Sequence, residues 1–104
     1  MRLSNNLIYV VRCLKCADTT HILYVGETGR TFESRISDHE SDIRLDRTSP
    51  LGRHFNDGEH SRLDFRVQIV WKVQHNSQVD RKILESRFIA KLGTLIPAGL
   101  NLKP

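Results

Sequence analysis

Leu7-Ile8-Tyr9-Val10-Val11-Arg12 (LIYVVR) and, after the polar connection CLKCADTT at 13–20, the run HILYVGE at 21–27 decide the fold of this chain. Both runs are rich in β-branched and aromatic residues, which suit a pleated, half-buried surface. Two such runs around a polar connection read as the strands of an antiparallel hairpin. Gly26 and the turn Glu27-Thr28-Gly29 are expected to end the second strand.

Outward from the hairpin, Thr31 is a plausible N-cap for a helix running to Leu45. Phe32, Ile36, His39 and Ile43 recur on it at spacings of three and four, a stripe able to pack on a sheet. A shorter helix is expected from Ser49-Pro50, because proline suits a first turn, and Asn56-Asp57-Gly58 ends it. Leu63, Phe65, Val67, Ile69, Trp71 and Val73 alternate, which predicts a half-buried third strand over Leu63–Val73. HNSQ at 75–78 reads as a loop, Val79–Leu92 as a last helix closed by Gly93, and Pro97 to Asn101 as an ordered tail. The expected class is α+β, a small three-stranded antiparallel sheet flanked by helices, in a single domain over residues 1–104.

The chain has 104 residues of which 38% are hydrophobic, enough for one modest core near the size where burial alone stabilises only marginally. No run of about 18 apolar residues is present and no basic stretch leads into an apolar signal region, so neither membrane insertion nor secretion is indicated. An intracellular location is expected. Lysine and arginine exceed aspartate and glutamate by 16 to 12, a net charge of +4. That balance permits nucleic-acid binding and equally describes a mixed solvated surface. Arg30, Arg35, Arg44, Arg47 and Arg53 fall in one third of the chain, where they could meet phosphates.

Several side chains could carry chemistry, each with a plainer alternative. Glu85 shares its helix face with Phe88, Ile89 and Leu92, so its carboxylate turns inward and needs a partner: Arg81 one turn earlier, or a hard divalent cation such as Mg²⁺. Arg35 and His39 emerge on neighbouring positions of the first helix. There a guanidinium could grip a phosphate, or simply pair with Asp38 or His39. Tyr9 and Tyr24 sit on adjacent strands, where tyrosines commonly pack with a wet tip. Cys13 and Cys16 admit a zinc half-site, a redox pair or two incidental thiols. His54 and His60, with five residues between them, are close to the pairing of Cys₂His₂ zinc sites, and such a site would staple the hairpin to the loop after the second helix. His21 and His75 have no assigned role.

Tyr9, Tyr24, Gly26, Arg35, His39, Glu85 and Asn101 together, in this order over residues 7 to 101, resemble the GIY-YIG endonuclease family. Leu7-Ile8-Tyr9 and Tyr24-Val25-Gly26 stand for its two tripeptides, with Leu7 in place of glycine and Val25 in place of isoleucine. Glu27 stands where some relatives carry lysine. The resemblance implies a metal-dependent DNA endonuclease acting by phosphodiester hydrolysis. Glu85 would be the single ligand of Mg²⁺ or Mn²⁺, Arg35 the catalytic arginine, and Tyr9 the general base or the group positioning the attacking water. Tyr24 and His39 would be further catalytic-site residues, Arg30 a substrate contact, and Gly26 and Asn101 structural.

The cysteine pair inside the hairpin with the histidine pair downstream is closest to the endonuclease domain of Penelope-like retroelements, and implies structural Zn²⁺ on Cys13, Cys16, His54 and His60. In that setting a single-strand nick supplies a 3′ hydroxyl to prime reverse transcription. The partners are then DNA and a linked or cooperating reverse transcriptase, the location nuclear in a eukaryote, and the chain an excised domain or a free-standing relative. Two rivals stand beside this reading: a zinc-stabilised nucleic-acid-binding module that cuts poorly, and a redox protein using Cys13 and Cys16 with a lowered thiol pKa.

Overall fold

The computed structural model describes residues 5–16, 22–45, 48–74, 76–96 and 98–102. His21, Arg47, His75, Pro97 and residues 17–20 of the hairpin connection lie outside the described residues. The described elements run β1 (Asn5–Cys13), β2 (Ile22–Thr31), α1 (Phe32–Arg44), α2 (Pro50–His54), a 3₁₀ turn at Arg62–Asp64, β3 (Phe65–Lys72) and α3 (Gln78–Leu92). The sheet is antiparallel throughout, in the order β2-β1-β3.

The central place of β1 explains its composition. Leu7 to Val11 are all buried, because a strand covered on both faces has no polar side to alternate with. Tyr9, Val11 and Cys13 turn to one face, where Ile43 of α1, Leu51 of α2 and Phe55 complete a core. Ile8 and Val10 turn to the other, where Val25, Val73 and Ile89 of α3 form a second core with Leu84, Phe88 and Leu92 alongside.

Local chemistry fixes the helix ends. Thr31 caps α1 by accepting from Ser34 N at 3.2 Å, Ser49 caps α2 through Gly52 N at 3.0 Å, and Ser77 caps α3 through Asp80 N at 3.2 Å. Each satisfies an amide that the first turn leaves orphaned. Gly93 closes α3 in the left-handed region, φ 67°, and the stripe Phe32, Ile36, His39, Ile43 of α1 faces the core as expected.

Three sequence expectations are corrected. Residues 27–29 are not a turn; β2 continues through them to Thr31. Here β2 sets one extra residue against Asn6, which adopts φ 59°, and the register shifts between Asn5 and Leu7. The strand expected from Leu63 begins at Phe65, and Leu63 is 73% exposed in the 3₁₀ turn. Nor does one alternation run through β3. Tyr9 pairs with Ile69 but Ile8 with Trp71, so Val70 is an extra residue. A bulge of this kind exchanges the faces of the strand residues beyond it. Phe65 and Val67 therefore pack with Tyr9, whereas Val70 and Val73 join the α3 core.

Candidate active site and metal cluster

Tyr9 lies directly opposite Gly26 in the β1–β2 ladder. A Cβ on Gly26 would stand 2.3 Å from Cζ and Oη of Tyr9, so the glycine is the slot through which the ring reaches α1. At its far end the hydroxyl is 2.6 Å from His39 Nε2, and Arg35 Nε donates to it at 3.1 Å. Tyr9 is fully buried and His39 only 4% exposed.

Burial pushes the Tyr9 phenol well above its ordinary value, with Arg35 opposing. Burial, helped by the Arg35 charge, pulls His39 down to about 4. At neutral pH the pair is a protonated phenol beside a neutral imidazole. With Arg35 donating into the phenol oxygen, we assign the Tyr9 proton to a hydrogen bond toward His39 Nε2. Tyr24, whose ring centroid is 6.5 Å from that of Tyr9, is also shifted upward, first by burial and then against the pull of Arg35.

Beside Tyr24 opens a cleft of about 430 Å³ lined by Lys82, Glu85, Ser86, Leu100 and Asn101. Glu85 points into it from α3, its side chain 18% exposed. The Arg81–Glu85 pair considered from helix spacing does not form. Arg81 reaches across the sheet instead, Nε to Glu27 Oε1 at 2.8 Å and Nη1 to Asn6 Oδ1 at 2.8 Å, over Gly29, whose missing Cβ leaves room for the guanidinium. Lys82 Nζ is 3.0 Å from Glu27 and 3.9 Å from Glu85.

Burial raises the Glu85 pKa, Lys82 lowers it and Glu27 raises it again. Burial also acts upward on Glu27, but hydrogen bonds from Lys82 and Arg81 hold that carboxyl low. A carboxylate half-removed from water, at the wall of an open polar cleft, suits a hard divalent cation that keeps most of its waters.

Arg30 sits at the end of β2, not on a turn. Its guanidinium is held by Asp38 and, at 3.3 Å, by Ser34 Oγ. Arg35 Nη1 lies 3.7 Å from the same Asp38, so the surface pair considered for Arg35 coexists with its bond to Tyr9. Asn101 accepts from Val25 N at 2.9 Å and from Thr94 Oγ1 at 2.7 Å, and donates to Val25 O at 2.9 Å. Its amide thus completes the outer edge of β2 and forms part of the cleft floor.

On the same sheet face as Tyr9, Cys13, Cys16, His54 and His60 converge, their ligand atoms all within 4.8 Å of one another. Cys16 Sγ lies 3.6 Å from His54 Nε2 and 3.8 Å from His60 Nε2. Tetrahedral zinc with bonds of about 2.0–2.3 Å places its ligands roughly 3.3–3.8 Å apart. His60 Nδ1 is held at 2.8 Å by Asp57, the carboxylate–histidine arrangement that orients a metal-binding imidazole. The cluster could hold a metal ion and is compatible with zinc. Burial first, then Cys13, pushes the Cys16 thiol up to about 11, opposite to what a redox cysteine needs.

The structure therefore lines one cleft with Tyr24, Glu85 and Asn101, joins Tyr9, Gly26, Arg35 and His39 in a contiguous set whose Tyr9 ring neighbours Tyr24, and brings Cys13, Cys16, His54 and His60 into one cluster. Lys82, Ser86 and Asn6 escaped the sequence reading. A lysine and a serine on a polar helix face carry no signal of their own, and the role of Asn6 depends on a bulge. Among the described residues no helix is long and apolar enough to cross a membrane. Searches against protein-family models, curated proteins and solved structures find no match for this chain.

Proposed function

We propose that the chain is a GIY-YIG-type DNA endonuclease that uses one divalent metal ion to hydrolyse a phosphodiester and nick one strand, stapled by structural zinc. The observation that carries this reading is a hydrogen-bonded set, Arg35–Tyr9–His39, behind a cleft whose wall presents Glu85. Tyr9, Tyr24, Arg35 and Glu85 lie close enough to perturb one another's ionisation.

In this reading Glu85 would hold Mg²⁺ or Mn²⁺, which when bound would supply Lewis-acid stabilisation of developing negative charge. The chain's own residues do the remainder. Tyr9 would take a proton from the attacking water as it hands its own to His39, which is neutral at working pH and already in contact with the phenol, and the imidazolium would return that proton to the leaving 3′ oxygen. That relay removes the need for a free phenolate, which burial disfavours. Arg35, whose side chain is 31% exposed, offers its Nη atoms to the phosphate as negative charge grows in the transition state. Tyr24 and Lys82 line the path of the substrate backbone, and Arg30 adds a contact at the rim once Asp38 releases it.

By the same resemblance the nick primes a partner reverse transcriptase, with a nuclear location in a eukaryotic host. The deciding experiment is nicking of supercoiled plasmid with Mg²⁺ or Mn²⁺, against an EDTA control and Glu85→Ala. Metal-dependent nicking lost in the variant supports the assignment. DNA that is bound but uncut with either ion favours the zinc-stabilised binding module, for which the Cys/His cluster would suffice and Glu85 would be dispensable.

A further inference from the structure

Strand pairing sets Arg12 of β1 directly opposite Arg66 of β3. Both turn to the sheet face opposite Tyr9 and Cys13, since Val10 packs with α3 and Arg12 lies two residues beyond it. Like charges directly opposed across a ladder weaken it. Among the described residues neither guanidinium meets a carboxylate. Arg12 Nη1 donates to Gln68 Oε1 at 3.0 Å, and Arg66 Nη1 donates to the carbonyls of Leu63 at 2.9 Å and Phe65 at 2.8 Å. These bonds orient both groups without neutralising either. Arg12 Nε is buried and meets no acceptor among the described residues. The two arginines border an open groove of about 390 Å³ with Val10, Leu14 and Val67.

We propose that this groove is a second nucleic-acid contact, in which Arg12 and Arg66 together hold a backbone phosphate. A tetrahedral anion of that size answers two guanidinium forks and relieves their repulsion. The groove is open along the edge strand β3, so a sugar–phosphate chain can run past it, a sugar against the exposed Leu14. Because the contact is to phosphate, its contribution is sequence-independent. The site shares with the proposed nuclease only its nucleic-acid partner, and needs neither Glu85 nor a catalytic metal.

The test is binding of a short duplex DNA in EDTA over a series of salt concentrations, for the natural chain, Arg12→Gln/Arg66→Gln and Arg12→Lys/Arg66→Lys. The glutamine pair should bind about tenfold more weakly near 0.1 M salt and flatten the log–log salt dependence by roughly one to two units, while the lysine pair keeps most of both. Melting of the glutamine pair should match or exceed that of the natural chain, because a like-charge opposition has been removed. If it melts early, the exposed Arg66→Gln alone carries the same binding test. Affinity and slope unchanged by loss of the arginines overturn the proposal, as does a natural chain that binds no DNA. A site that answers only to inorganic phosphate, read as a melting shift lost in the glutamine pair with DNA binding intact, also overturns it. A natural chain that binds through these arginines but never nicks removes the nuclease reading and leaves this one standing.

Discussion

Tyr9 depends on what its neighbours lack or donate. Gly26→Ala puts a methyl group within 2.3 Å of a ring that is fully buried and cannot move aside. The expected cost is about 1–3 kcal/mol of stability, as for other overpacked cores, with loss of nicking even where the fold survives. Tyr9→Phe keeps the ring and removes only the hydroxyl shared by Arg35 and His39. Nicking should fall by at least a hundredfold while thermal melting drops modestly, which separates chemistry from packing. His39 gives a pH signature. Its folded pKa of about 4 lies below the ordinary 6.5, so the unfolded chain binds more protons between those values and stability falls as pH drops through that window. The full span is on the order of 3 kcal/mol. His54 is shifted the same way, first by burial, so the measurement is a difference: urea unfolding at pH 7 and pH 5 should show a steeper loss for the natural chain than for His39→Gln. Equal losses would mean His39 is charged in the folded protein.

The elements show which signals the sequence carries. β1 and α1 were legible because burial on both faces writes an unbroken apolar run and burial on one face writes a stripe. The start of β3 was not, since Leu63 continues the alternation yet stands 73% exposed, and a bulge at Val70 has no residue signature. Gly29 looked like a turn residue, but its lack of a side chain serves the Arg81 guanidinium packed over a continuing strand. Arg81 itself pairs with Glu27, 54 positions away, where helix spacing offered Glu85. Asn101 was legible only by resemblance, and the structure supplies its reason: it finishes the β2 edge with one amide. Asn101→Asp is therefore expected to behave like Asn101→Ala, because a carboxylate cannot donate to Val25 O. Each should cost roughly 1–3 kcal/mol for the groups left unpaired and speed exchange of the Val25 amide proton. Retained protection at Val25 in either variant would show that backbone bonds alone hold the tail.

At the scale of the whole molecule, the two cores differ in how they are closed. The α3 core is sealed by a fifteen-residue helix. The other rests on α1 and on the five-residue α2, and its far border is the cluster in which Cys13 is fully buried and Cys16 packs against the core. A helix so short contributes little by itself, so a metal ion joining the β1 end to His54 and His60 would be what fixes Leu51 and Phe55 in place. Zinc is expected at one equivalent per chain by elemental analysis. Its removal by a strong chelator should lower the melting temperature by about ten degrees or more, in line with several kcal/mol for a structural site in a small domain. His60→Ala, which changes a side chain at the rim and leaves Cys13 in place, should melt near the chelated value and be indifferent to chelator. Cys13→Ser should do the same, with a further loss from the hydroxyl it buries. A chain that carries no zinc yet melts identically with and without chelator would leave the four side chains as a packing cluster, with the first core closed by its hydrophobic contacts alone.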